Sequence, residues 1–375
     1  MKFLLDPSHH SVHGVRTSLG ILGIVFVLLG LMMGTQGWSC CEDLKSHNPM
    51  ISEIIWHLRF PRSLGAWLSG ALLGLAGILA QGLFRNPLAD PFLLGSASGA
   101  SLGVTVALLL GLLAQMGGGL NEWPYDWVHQ VLGALGGWMA WLMKPMGFFF
   151  NDERHAFLLG FGVTALAFVG ALLAVFLTLS LSRGVLQTQR LLLSGVVVGV
   201  VLGSLNNLIL QRFPTLLGAL QNFMLGSVAN VDELGCLLMA VVLVFCLTVT
   251  WFYSPVLDAM GLGEQTARSL GFLIGRERWV LIAVLSLATA TSVAQTGLIA
   301  FVGLAAPHMV RQIIKANYKA WIELSVLMGG ALLVASDLIA RTISRTQELP
   351  IGIVTALLGG GYLLRLLSKS NRANT

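Results

Sequence analysis

Charge is what this sequence has least of. Asp, Glu, Lys and Arg make up only 10% of its 375 residues, against about 25% in a soluble domain, so a water-facing surface for a chain of this size is missing. That shortage excludes a soluble enzyme. Disorder is excluded as well, because it needs low hydrophobicity and high net charge, and here 55% of the residues are hydrophobic and the formal net charge is +5. Cysteine is equally thin. Of four, Cys40 and Cys41 are adjacent and Cys236 and Cys246 lie inside apolar stretches, which gives neither a disulfide framework nor metal-ligand spacing. There is no GxxxxGK[ST] phosphate cradle, no nucleophile elbow and no HExxH pair, so no catalytic residue and no metal site is expected.

Ionisable groups are almost missing from the apolar stretches too. Glu323 and Asp337 lie near the ends of one, and His308 near the end of another. Ion-coupled transporters ordinarily carry such a group at membrane depth, so their scarcity argues against a secondary transporter or channel. Gln81, Asn206, Asn207 and Gln295 keep that reading open through neutral oxygens. If the chain moves a solute, its energy comes from a separate motor.

What the sequence has in abundance is length without charge. Stretches free of Asp, Glu, Lys and Arg run over 17–41, 63–84, 92–121, 155–182, 191–211, 234–257, 279–310, 324–336 and 349–364. A helix crossing the bilayer core needs about 20 apolar residues. The stretch from Trp279 is too long for one upright helix and breaks near Gln295-Thr296-Gly297, which brings the expected count to ten spans. Lipid admits only helices or closed barrels, and the runs lack the period-two alternation of a barrel. The expected fold is therefore an all-α polytopic membrane protein, a single domain over 1–375, with the first apolar stretch retained as a helix and not removed as a signal peptide.

Orientation follows from the few charges there are. With the N-terminus inside, fourteen of the 22 Lys and Arg fall in inner segments, so the positive-inside rule favours N-in, C-in. The pI of 9.2 is then topology and calls for no nucleic acid. Half of the outer minority, Arg59, Arg62, Arg341 and Arg345, stands at the mouths of helices. Residues 121–154 resist the scheme. They hold Trp123, Trp127, Trp138, Trp141 and Phe148-Phe149-Phe150, interrupted by Gly136-Gly137 and Lys144-Pro145. An outer-face helix in the interface suits them, because tryptophans anchor there and a further crossing would spoil the charge bias. Inside the spans, glycines at spacings near four, such as Gly70, Gly74 and Gly77 and then Gly95, Gly99 and Gly103, read as close helix packing.

The longest inner loop, 254–278, begins at Pro255 and carries Gly261, Gly263 and Gly271. Those breakers suggest two short helical pieces joined by a turn, with Glu264 at the start of the second, where a helix dipole favours an acid. Its run Leu262-Gly263-Glu264, then Ala267-Arg268 and Leu270-Gly271, resembles the coupling segment of permease subunits from the ABC importers of cobalamin and ferric siderophores. Four further blocks are similar to the same family: Arg59-Phe-Pro-Arg62 with Gly70-Ala71; Gln81-Gly-Leu-Phe-Arg-Asn-Pro-Leu-Ala-Asp-Pro91 with Gly95 and Gly99-Ala100; Gly297 to His308 with Arg311; and Glu348-Leu-Pro-Ile-Gly352 with Gly359-Gly360.

That resemblance implies a ten-helix permease of the bacterial cytoplasmic (inner) membrane, working as a homodimer, with an inverted relation between spans two to five and seven to ten. It implies a cytoplasmic ABC ATPase under each subunit, holding ATP and Mg while this chain binds no cofactor itself. Leu262, Gly263, Glu264, Ala267, Arg268, Leu270 and Gly271 would meet that ATPase. A periplasmic or lipid-anchored substrate-binding protein would dock on Arg59, Arg62 and Arg341. The cargo implied is a metal chelate, ferric siderophore ahead of haem and cobalamin. Two features depart from the family. Gly361-Tyr362 stands where Pro-Phe is usual, and 121–154 is an insertion relative to shorter members. Asn86 and Asp90 read as a capped turn before the third span, and His308 as a structural residue. An assembly or scaffold protein is a further alternative, but it leaves the ordered blocks without a reason.

Overall fold

The computed structural model describes residues 11–34, 37–38, 53–115, 154–182, 188–343 and 349–373; the aromatic insertion proper, Arg345, Glu348, Cys40 and Cys41 lie outside them. Thirteen helices are described: α1 (Val12–Met32), α2 (Phe60–Phe84), α3 (Ser96–Gln115), α4 (Arg154–Leu181), α5 (Thr188–Arg212), α6 (Leu217–Leu225), α7 (Glu233–Phe252), α8 (Ser254–Gly261), α9 (Glu264–Ser269), α10 (Ile274–Thr296), α11 (Val302–Ile313), α12 (Tyr318–Ile343) and α13 (Ile351–Ala373). Among the described residues the only strand pairing is the two-residue ladder of Met33–Gly34 with Gly37–Trp38. The architecture is an all-helical, multi-pass membrane fold. Seven helical segments are long and apolar enough to cross a bilayer, and Ser96–Leu112 and Ile351–Arg365 are shorter apolar helices. Taken with the 12-residue α11, the described helices that correspond to the ten expected spans are, in order, α1, α2, α3, α4, α5, α7, α10, α11, α12 and α13.

Packing repeats with the order expected of two related halves. Helix α2 packs on α12 as α10 packs on α4; α3 meets α4 and α5 as α11 meets α12 and α13; and α2 and α10 pack on each other. Exchanging spans two to five with seven to ten maps each contact onto another. The two sets are offset by five spans, an odd number, so the halves run in opposite senses across the membrane.

At the centre lies α2, which is buried over nearly all of its 25 residues. Its glycine face lets backbones touch. A Cβ on Gly70 would overlap the carbonyl oxygen of Gly329 on α12, one on Gly74 that of Ser325, and one on Gly77 that of Gly303 on α11. Lipid offers no hydrophobic drive for helix association, so this close van der Waals approach is what holds the core together. Gly77→Ala is expected to cost about 3 kcal/mol, the upper end for overpacking a filled core, because the obstructing atom is backbone. Thermal melting in detergent checks this, with Gly360→Ala as control, where an added Cβ meets nothing within 4 Å.

The break expected at 295–297 is present. Helix α10 ends at Thr296, and Gly297 takes φ 70. Irregular backbone at membrane depth must find partners within the protein, and α6, which the sequence pattern did not reveal, and the turn that follows it supply them. The Leu298 N–H donates to the Phe223 carbonyl at 3.0 Å, and the Ser227 N–H to that of Thr296 at 2.8 Å.

Candidate functional site

Two polar clusters stand at opposite ends of the bundle. At the inner end, α8 and α9 are the two short helices expected of 254–278. Pro255 fits the first turn of α8, and Gly263 before α9 has φ 115, a conformation that favours glycine. Ala267 is buried beneath α9, whereas Leu262, Leu270 and Leu273 are 72%, 61% and 69% exposed; Arg268 and Gly271 are also exposed. The loop thus presents three bare leucines.

Glu264 faces the other way. Its Oε1 accepts from Arg278 Nη2 at 2.7 Å and from Arg85 Nη2 at 3.3 Å. Arg278 is a buried residue of α10, and Arg85 ends α2 in the left-handed conformation (φ 49), so one carboxylate clasps α9, α10 and the end of α2. Burial alone raises the Glu264 pKa, but the hydrogen bond and charge of Arg278, then the charges of Arg85 and Arg268, outweigh it and hold the carboxyl below its ordinary range. The clasp is therefore fully formed at neutral pH. Its contribution is present above the unfolded-state pKa and is lost only as pH falls through the lowered folded value. A second link leaves α8, where Asp258 Oδ1 accepts from the Tyr318 N–H at 3.0 Å, and the Tyr318 hydroxyl accepts from Arg311 of α11 at 3.3 Å. Movement of this loop is thereby tied to α2, α10, α11 and α12.

At the outer end, the arginines expected to dock a partner are drawn into the protein. Asp337 of α12, 1% exposed, pairs with Arg62 at 3.1 Å and with Arg341 one helical turn along the same helix. The Arg341 side chain is itself only 2% exposed. Its Nη1 donates to the carbonyls of Gly30 and Met33 at 3.0 and 3.3 Å, and Arg59 Nη1 donates to that of Leu31 at 3.2 Å. Cations at a helix C-terminus satisfy its last carbonyls and complement its dipole, so two arginines cap α1. Arg59 is half-buried at the rim. An exposed pair that sequence reading missed, His57 Nδ1 with Glu233 Oε1 at 2.7 Å, bridges to the start of α7.

Among the other polar residues, Asp90, Asn86 and His308 have structural partners, and Gln81 and Asn206 are bonded through their amide nitrogens while their oxygens are buried without a partner among the described residues. Asp90 Oδ1 accepts from the Phe92 N–H at 2.8 Å and Asn86 Oδ1 from that of Leu88 at 3.0 Å, the capped turn expected. Gln81 Nε2 donates to the Leu304 carbonyl and Asn206 Nδ2 to Ser101 Oγ. His308 Nδ1 lies 2.9 Å from the Tyr362 hydroxyl, so the Tyr that departs from the usual Phe supplies an oxygen to α11. Among the described residues no cluster of His, Cys, Asp and Glu is arranged to hold a metal.

The model of the FecCD transport family matches residues 21–369. This chain belongs to the FecCD transport family. It is 32% identical to the vitamin B12 import system permease protein BtuC of Citrobacter koseri, over 95% of this chain and 94% of that one. The identity is also 32% to the protein of the same name from Escherichia coli O157:H7, covering 94% of each chain. A solved metal-chelate type ABC transporter in an inward-facing conformation superposes with a TM-score of 0.75 at 25% identity, covering 95% of this chain and 99% of that one. PsaBC from Streptococcus pneumoniae shares the fold, with a TM-score of 0.52 at 15% identity over 84% and 93% of the two chains. As a FecCD member the chain is a transport subunit and not an enzyme; ATP hydrolysis belongs to a separate subunit. Both end clusters lie within the span matched by the FecCD model.

Proposed function

We propose that this chain is the permease of a bacterial inner-membrane ABC importer, passing a metal chelate from a substrate-binding protein into the cytoplasm. The observation that carries the reading is the inner loop. Three exposed leucines make a face for an ATPase groove, while Glu264 and Asp258 behind them lock the loop to four spans. The expected contact set, Leu262 to Gly271, divides accordingly. Leu262, Arg268 and Leu270 face the ATPase, Gly263 and Gly271 shape the turns, and Glu264 and Ala267 fix the loop to the bundle. ATP and Mg are held by the ATPase.

A second copy completes the pathway. Leu193, Val196, Val197, Val200 and Leu208 of α5 and Leu357 of α13 are exposed in the single chain, and apolar faces of this kind suit a homodimer with the solute path between the copies. Among chelates, a cobalamin is the first to test because the curated relatives named above are vitamin B12 permeases; ferric siderophore and haem are the competitors. Measuring which chelate the cognate binding protein holds, and whether ATP drives its uptake, tests the assignment.

Docking of the binding protein falls chiefly to Arg59, with Arg62 and Arg341 holding the rim in shape beneath it. Rim charges set encounter rate more than affinity. Arg59→Glu is expected to slow association of the loaded binding protein several-fold and to flatten its salt dependence. Stopped-flow association at two ionic strengths checks this, and unchanged kinetics would remove Arg59 from the docking face.

A further inference from the structure

We propose that the groove between α1, α2, α7 and α12 binds one anionic phospholipid of the inner leaflet. The groove encloses about 850 Å³ and is walled by Trp67, Leu243, Leu247, Val326 and Leu327. Along α7 it runs from Phe252 at the inner end to Ala240, which is about 18 Å at 1.5 Å per residue. One leaflet of a hydrocarbon core spans about 15 Å, so the groove has the depth of a single leaflet and opens at the inner interface.

The charged groups that line the groove, Arg16 and Glu323, are at that mouth. Glu323 Oε2 pairs with Arg16 at 3.1 Å, its Oε1 accepts from the Trp251 indole N–H at 3.2 Å, and Lys319 Nζ stands 3.6 Å from the centre of the Trp251 ring. One cation pairs with the carboxylate and a second lies on the indole, and the Arg16 side chain stays 53% exposed, leaving an excess positive charge where a lipid phosphate would sit. The tryptophan lies at the depth where indoles anchor to headgroups. An acyl chain fills the apolar length, and the phosphate rests beside Arg16 and Lys319. Gly20 on the groove wall leaves room for the chain, since a Cβ there would meet nothing within 4 Å.

The lipid site is independent of the transport reading and is tested without transport. Native mass spectrometry of the full chain, equilibrated with equal amounts of phosphatidylglycerol and phosphatidylethanolamine, is expected to show one retained phosphatidylglycerol. Arg16→Gln with Lys319→Gln is expected to lower the preference for phosphatidylglycerol about tenfold or more, from the interaction of each cation with an anionic surface. Gly20→Phe, or Leu247→Trp should that variant not fold, is expected to abolish retention of both lipids by filling the groove. Inorganic phosphate is expected not to compete. Equal retention of the two lipids, retention undiminished in the filled-groove variants, or displacement by phosphate would each overturn the assignment.

Discussion

Glu264→Arg combined with Gly263→Leu is expected to abolish transport and the ATP hydrolysis stimulated by the loaded binding protein, while leaving the bundle folded. The argument is local. The substitution places a third guanidinium against Arg278 and Arg85, which now share the Glu264 carboxylate at 2.7 and 3.3 Å, so the clasp becomes a repulsion. Leucine at 263 adds strain, because the backbone there holds φ 115, where a side chain costs of the order of 1–3 kcal/mol. The leucine face of α9 then loses its fixed position relative to α2 and α10. Rate coupling depends on that position, whereas α2 and α12 are held to each other by the close approaches at Gly70 and Gly74, which the loop does not share. Glu264→Gln is the graded control: it keeps a hydrogen-bond acceptor and loses only the charge, so partial coupling is expected. Transport and ATPase assays on the assembled complex, with a melting curve for the permease, separate the outcomes. Normal transport in the double variant would reject the loop as the coupling element.

Asp337→Leu is expected to prevent accumulation of folded protein. It leaves Arg62 and Arg341 in a buried site without their carboxylate, and breaking one side of a buried ion pair costs about 3–5 kcal/mol. Whole proteins are commonly stable by only about 5–15 kcal/mol, so this single loss is a large share. Arg341 also caps the end of α1 through Gly30 and Met33, and its displacement frees that helix from α2 and α12. Asp337→Glu is expected to recover part of the yield. Size-exclusion chromatography and thermal melting in detergent provide the readout. A folded Asp337→Leu protein that had lost only binding-protein association would return Arg62 and Arg341 to the docking face.

These two clusters show where sequence reading works and where it stops. The helices were legible because the apolar runs are long, the division at Thr296-Gly297 because a glycine follows an overlong run, and the two pieces of the inner loop because Pro255 and Gly263 punctuate it. Partnership across the fold was not. Glu264 meets Arg85 from 179 residues away, and no local pattern encodes that it turns inward while Leu262 and Leu270 turn out. The pairing of Asp337 with Arg341 did leave a trace, since the two stand at i and i+4 on one helix, a spacing that brings side chains together. That spacing brings Arg341 to Asp337 and into the interior. Helix α6 was hidden for another reason: its nine residues are too few to cross a bilayer, and its role, giving the Phe223 carbonyl to Leu298, is set by tertiary structure.

The central claim is that this chain carries a chelate across the membrane only when a separate ATPase drives it. Purified permease, reconstituted in vesicles with and without its ATPase and supplied with binding protein loaded with radiolabelled cobalamin or ferric chelate, measures this directly. Uptake that requires the ATPase, hydrolysable ATP and the binding protein together is the predicted result. Uptake by the permease alone, driven by an imposed proton or sodium gradient, would contradict it.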